Sequence, residues 1–237
     1  MNFHKGIKDG IPIALGYFSV SIAFGLMAAE AGCTAFEALL ISFTNLTSAG
    51  QFAGVTVIAA SGTYLEMALT QLVINSRYSL MAVSLSQKAN SKFKGIWRLL
   101  LGFAITDEIF AVAIGNDEDI SKEYFGGLMI LPIIGWSAGT VCGAVLGNIM
   151  PMIITNALGI ALYGMFIAVV VPKARQNIHV LITAALAVGI SSLIYYAPLF
   201  SGVSTGFAII ISAPAAEAAA ALIIMAKPVD TPENKGA

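Results

Sequence analysis

A chain of 237 residues that is 58% hydrophobic and 11% charged, with mean hydropathy +0.87, is no soluble domain; such domains carry about 25% charge. A formal net charge of −1, with no basic cluster, argues against a nucleic-acid partner. Apolar runs long enough to span a bilayer recur from end to end. The expected fold is therefore all-α: a polytopic integral membrane helical bundle of about 7–8 hydrophobic segments, with broken or re-entrant helices and an inverted repeat as further possibilities. Residues 1–226 read as a single transmembrane domain and 227–237 as a polar, disordered tail.

The opening MNFHKGIKDG and the apolar run from Ile11 to Ala29 imitate a signal peptide, but the run exceeds the usual core of about 7–15 residues. It is read as the first retained helix, 11–31. Segments 35–60, 64–86, 96–114, 124–147, 151–171, 178–196 and 202–226 follow. Cys33 and Cys142 have no metal-type spacing and read as small packing residues.

The loops conflict over orientation. Lys5, Lys8, the loop with Lys88, Lys92, Lys94 and Arg98, the pair Lys173 and Arg175, and the tail with Lys227 and Lys235 all ask for the cytoplasm. The acidic loop GNDEDISKEYF is expected outside. Three full crossings before Lys88 would break this pattern. One resolution is that segment 35–60 does not cross simply. Its centre, SFTNLTSAGQFAG, is polar enough to break a helix or form a re-entrant pair. Pro151 and NIMPMIITNALG are the counterpart in the second half, which suggests an inverted repeat. The other resolution is an outside amino terminus.

Segment 124–147 places Gly135, Gly139, Gly143 and Gly147 on one helix face, where another helix of this chain or a second subunit can approach closely. The match GWSAG within it is a poor nucleophile elbow. It lies in an apolar helix, and the only later histidine is His179 at a span edge. No cofactor motif, metal site or catalytic triad is found, so no enzyme is expected.

Four ionisable groups sit deep in spans: Arg77, the adjacent Asp107 and Glu108, and Glu217 after Pro214. Such groups mark transport pathways or proton relays, or else pair to fasten helices together. Three acids cannot all be neutralised by one base, so Asp107, Glu108 and Glu217 are candidates for proton coupling. Asn45, Thr47, Ser48, Gln51, Asn75, Ser76, Tyr78 and Thr106 collect around these charges, of which Arg77 is the one base. With it they form a candidate site for a small zwitterion, whose carboxylate would meet Arg77 and whose apolar side chain would lie on Phe52, Leu72 or Phe43.

The pattern Gly10, Pro12, Gly16, the block TSAGQFA (Thr47 to Ala53), NSRY (Asn75 to Tyr78), TDEIFA (Thr106 to Ala111) and the stretch Asn156 to Lys173 resemble the AzlC family. These are large subunits of branched-chain amino acid exporters. The resemblance covers almost the whole chain. It implies multi-pass residence in a bacterial inner membrane and proton-driven export of leucine, isoleucine, valine and sometimes methionine. It also implies a small AzlD-like membrane subunit as partner, with the Gly135–Gly147 face a candidate docking surface. Glu217 is not part of the family pattern. The rival readings are a transporter or channel for another small solute, and a non-transporting scaffold subunit.

Overall fold

The computed structural model describes residues 2–147, 167, 170–172, 174–200 and 202–225. Pro151, most of the expected segment 151–171, and the tail 227–237 lie outside the described residues. The chain forms two compact units, 1–165 and 166–237. Four described helical stretches are long and apolar enough to cross a membrane. Two lie in the first unit, α1 (Phe3–Glu30) and α8 (Lys122–Gly147). Two lie in the second, α9 (Ile178–Tyr196) and Gly206–Ile223 of α10 (Thr205–Met225).

In the first unit α1 lies along α8. Glycine makes this possible. A Cβ on Gly139 would overlap the Phe18 carbonyl and Ser21 Oγ, and one on Gly143 would overlap the Ile22 carbonyl. Gly6 and Gly10 face Tyr124 and Leu128, Gly135 faces Ala14, and Gly147 faces Ala29 and Leu26. Numbers rise together on both helices, so α1 and α8 run parallel. The expected glycine face is therefore buried within the chain. It is not a docking surface for another subunit.

A parallel pair requires an odd number of crossings between its members. The intervening chain supplies one. Helices α4 (Tyr64–Asn75) and α5 (Arg77–Lys88) run on through Ser76, whose backbone is itself helical. Ser76 Oγ bonds the Val73 carbonyl at 2.9 Å, competing for the acceptor that the Arg77 N–H would take. Residues 64–88 rise about 37 Å, enough for a hydrocarbon core of about 30 Å.

The other two apolar segments turn back. Segment 35–60 forms α2 (Ala35–Asn45) and α3 (Ala49–Ala59). Gln51 Nε2 donates to Ser42 Oγ at 3.0 Å. In a straight helix residues nine apart are separated by about 13.5 Å along the axis, more than a Gln and a Ser side chain can bridge. The turn falls at Leu46 and Ser48, both with positive φ, 44° and 49°, a conformation that costs about 1–3 kcal/mol outside glycine. Thr34 and Glu37 form a capping box that starts α2. Helix α3 then pairs antiparallel with α4, Gly50 beside Asn75 and Gln71, Gly54 beside Met67.

Segment 96–114 forms α6 (Ile96–Gly102) and α7 (Asp107–Ile114). Both ends of this segment lie against the end of α5. Arg98 donates to the Ser86 carbonyl, and Lys88 Nζ donates to the carbonyls of Ile114 (2.7 Å) and Asn116. The tip, Phe103–Thr106, lies at the other end of α5, where Asp107 meets Arg77. A single span was expected here, and a second hairpin is found.

The two hairpins therefore enter from opposite ends. Between their tips lies a core of Tyr17, Leu46, Leu101, Ala104, Ile109 and Trp136. Span followed by hairpin occurs twice, α1 with α2–α3 and α4–α5 with α6–α7, in opposite directions.

Within the first unit this arrangement removes the orientation conflict. The loop after α5 pairs with the acidic loop through Asn90 N–H to the Ile120 carbonyl (3.0 Å) and Ile120 N–H to the Lys88 carbonyl (2.9 Å). Lys5 Nζ reaches Asn116 Oδ1 at 2.8 Å. Lys5, Lys88, Arg98 and Lys122 thus share one end of the unit, and the acidic loop is there with them, not on the opposite side as expected. Loops 31–34 and 60–63 at the far end contain no Lys or Arg. Acidic residues are weak topology signals, which is why the loop misled.

Candidate functional site

The site is built where the α4–α5 span is interrupted and both hairpin tips arrive. Arg77 opens α5 and holds Asp107 at 2.6 Å; both side chains keep substantial exposure, 42% and 35%. Arg77 also donates to Tyr78 Oη at 3.2 Å and lies over its ring. Tyr78 in turn donates to the Thr47 carbonyl at the tip of the first hairpin (3.3 Å). Arg77 thus connects, directly and through Tyr78, the tip of each hairpin.

Asp107 and Glu108 occupy the first turn of α7, favourable for anions beside free N–H groups. Thr106 caps that helix. The adjacent acids point different ways. Asp107 is on Arg77, whereas Glu108 Oε2 takes a hydrogen bond from Tyr17 Oη at 2.5 Å and is otherwise exposed. Tyr17 Oη also lies 2.5 Å from Thr106 Oγ1. Its ring stands edge-on to Trp136, 5.1 Å between centroids.

Asn75 donates through Nδ2 to Gln71 Oε1 at 2.9 Å, and Gln71 donates through Nε2 to the Gly50 carbonyl at 2.8 Å. The Gly50 carbonyl can only accept, so it fixes both amide orientations. Among the described residues two buried atoms here have no hydrogen-bond partner: Arg77 Nε, a donor, and Asn75 Oδ1, an acceptor. Asn45 is held nearby through Thr47 Oγ1, and Ser48 begins α3 without a side-chain cap.

Two expected residues are placed otherwise. Gln51 is fully buried. Its Nε2 is on Ser42, which pairs with Thr140 at 2.7 Å, and its Oε1 accepts from Trp136 Nε1 at 3.1 Å. It fastens the first hairpin to α8 and does not line the Arg77 site. Gln51→Leu leaves the Trp136 N–H orphaned in the core, at a cost of about 1–3 kcal/mol. A lower midpoint of thermal unfolding in detergent is the expected reading. Glu217 lies on an exposed face of α10, in the second unit.

Tyr17 was not among the expected site residues. A tyrosine inside an apolar run reads as filling, and only the returning second hairpin brings its hydroxyl to Glu108. The GWSAG match lies in the unbroken α8, without the turn that a nucleophile elbow needs.

The interrupted span, opposed hairpins and central ion pair belong to residues 12–114 for the most part, and the AzlC protein family matches residues 12–150. The chain belongs to the AzlC family. Among similar proteins, the inner membrane protein YgaZ of Escherichia coli is 29% identical over 191 residues, 78% of each chain. An uncharacterized membrane protein of Archaeoglobus fulgidus is 28% identical, covering 82% of this chain and 84% of its own. The branched-chain amino acid transport protein AzlC of Bacillus subtilis is 22% identical, covering 82% and 77%. No solved structure matches the chain. This AzlC-family chain is a membrane protein, in agreement with its long apolar helices.

Proposed function

We propose that this AzlC-family protein is the large subunit of a secondary transporter that exports branched-chain amino acids (leucine, isoleucine and valine), with methionine as an occasional further substrate, from the cytoplasm, coupled to protons. The substrate class rests on the name of the Bacillus subtilis relative. The observation that carries the site is the unpartnered pair at the span interruption. Arg77 Nε is a donor suited to a carboxylate, and Asn75 Oδ1 is an acceptor suited to an ammonium. A zwitterion offers both groups on one carbon. Asn45, Ser48 and Tyr78 complete the polar wall.

Asp107 and a substrate carboxylate compete for Arg77. Alternating between them keeps the cation neutralised at every stage of transport. Asp107 thus acts with Arg77, while Glu108, free of any cation and open on one side, carries the proton. Glu217 stands as a second candidate for coupling.

The Lys-rich end of the first unit is assigned to the cytoplasm by its charge. The second hairpin then enters from the cytoplasm and the first from the opposite face. Two span-and-hairpin pairs of opposite direction are what an inverted repeat produces, with each hairpin gating one side of a central site. The proposed repeat lies within residues 3–114. A small AzlD-like subunit remains the proposed partner, docking elsewhere than the glycine seam. Residence in the bacterial inner membrane accords with the name of the Escherichia coli relative.

Proteoliposomes test the coupling. An imposed leucine gradient should move protons the opposite way. Glu108→Gln should abolish that proton movement while leucine exchange continues. Proton movement unchanged in the variant removes Glu108 from the role.

A further inference from the structure

Below the candidate site is a cavity of about 220 Å³, lined by Ala82, Leu85 and Ser86 of α5, by Gly102 and Ile105 of the second hairpin, and by Phe93 and Phe125 among others. The α5 residues lie at positions +4, +7 and +8 from Tyr78, so the wall continues the helix face that carries Tyr78. Ala82 is one turn from Tyr78, about 6 Å along the axis. Ile105 immediately precedes Thr106 and Asp107. The cavity is therefore continuous in register with the polar site on both of its elements.

We infer that this cavity receives the aliphatic side chain of the transported amino acid and sets its selectivity. The inference rests on the zwitterion reading of the Arg77 site. A cavity of about 150 Å³ admits a six-carbon ring, so 220 Å³, open on one side and walled mostly by apolar residues but with Arg98 in the lining, admits a branched four-carbon side chain. The apolar residues expected to do this do not form such a wall. Phe52 stacks on Phe24 (5.4 Å), and Leu72 and Phe43 are exposed on the outer surface. Each buried methylene favours the longer substrate by about 4-fold. Leucine, with three more carbons than alanine, gains about 50-fold or more over it.

Gly102 gives the test. A Cβ there meets no atom within 4 Å, and Gly102 belongs to the cavity lining, so a larger side chain can be introduced at the wall without displacing backbone. In Gly102→Leu the leucine-over-alanine preference should fall at least 10-fold, with the protein at normal abundance. Gly102→Ala should show an intermediate loss. A cysteine replacement at the same position, Gly102→Cys in a Cys33→Ser, Cys142→Ser background, should be shielded from a thiol reagent by leucine but not by alanine. Wild-type protein that exports leucine, with unchanged preference in Gly102→Leu and no shielding, overturns the pocket and leaves the transporter reading standing. Wild-type protein that exports no branched-chain amino acid overturns the transporter reading itself.

Discussion

Arg77→Ala should leave the protein in the membrane and lower leucine efflux about 25-fold or more. The side chain holds Asp107 at 2.6 Å, supports Tyr78, and presents an unpartnered Nε. Losing one partner of a charge pair at a binding site costs about 2–5 kcal/mol, and each 1.4 kcal/mol is about tenfold. The stability term is smaller, because both groups keep more than a third of their side-chain surface exposed. Flux and quantitative immunodetection of membrane protein separate the two. Loss of abundance in proportion to flux would mean that Arg77 is only a fastener between α5 and α7. The exchange Arg77→Asp with Asp107→Arg sharpens the distinction. A transport role predicts normal abundance without transport in the exchanged protein, whereas a pure fastener predicts that lost abundance and flux return together.

The second large effect is on folding. Gly139→Val should reduce the amount of folded protein at least tenfold. Its side chain would have to occupy the space of the Phe18 carbonyl and Ser21 Oγ. Relief requires separating α1 from α8 along a contact that runs their full length. Overpacking typically costs about 1–3 kcal/mol, and more where backbone must move. Gly16→Ala is the control. A Cβ at Gly16 meets nothing within 4 Å, and alanine is favoured over glycine inside a helix by about 1 kcal/mol. Size-exclusion profiles in detergent would report the contrast. Equal monodispersity of the two variants would contradict the seam.

These features were unequally legible in the sequence. The glycine series of α8 announces close approach through its period of four, but its counterpart on α1 keeps that period with only two glycines, Gly6, Gly10, Ala14, Phe18, Ile22, and nothing in either series names the other as partner. The break in segment 35–60 is legible because Asn45, Thr47, Ser48 and Gln51 interrupt an apolar run. The second hairpin turns at Phe103–Thr106, which is mostly apolar and contains neither glycine nor proline within the tip. Hydropathy therefore reads it as one span. Residue type finds Arg77, Asp107 and Glu108, because charge in an apolar segment is rare whatever the fold. It cannot say which way a neutral amide faces. Gln51 turns to Trp136 and Ser42, while Asn75 keeps a free acceptor at the site. Tyr17 is invisible for the same reason, since its hydroxyl matters only through a residue 91 positions away.

Efflux is the most direct test of the central claim. Cells lacking other exporters are loaded with leucine- or valine-containing dipeptides, with this chain and a small AzlD-like subunit expressed together. Internal and external amino acids are then followed with and without a protonophore. The account predicts faster appearance of leucine, isoleucine, valine or methionine outside, collapsing when the proton gradient is dissipated. Unchanged efflux, with both proteins verified in the membrane, contradicts it.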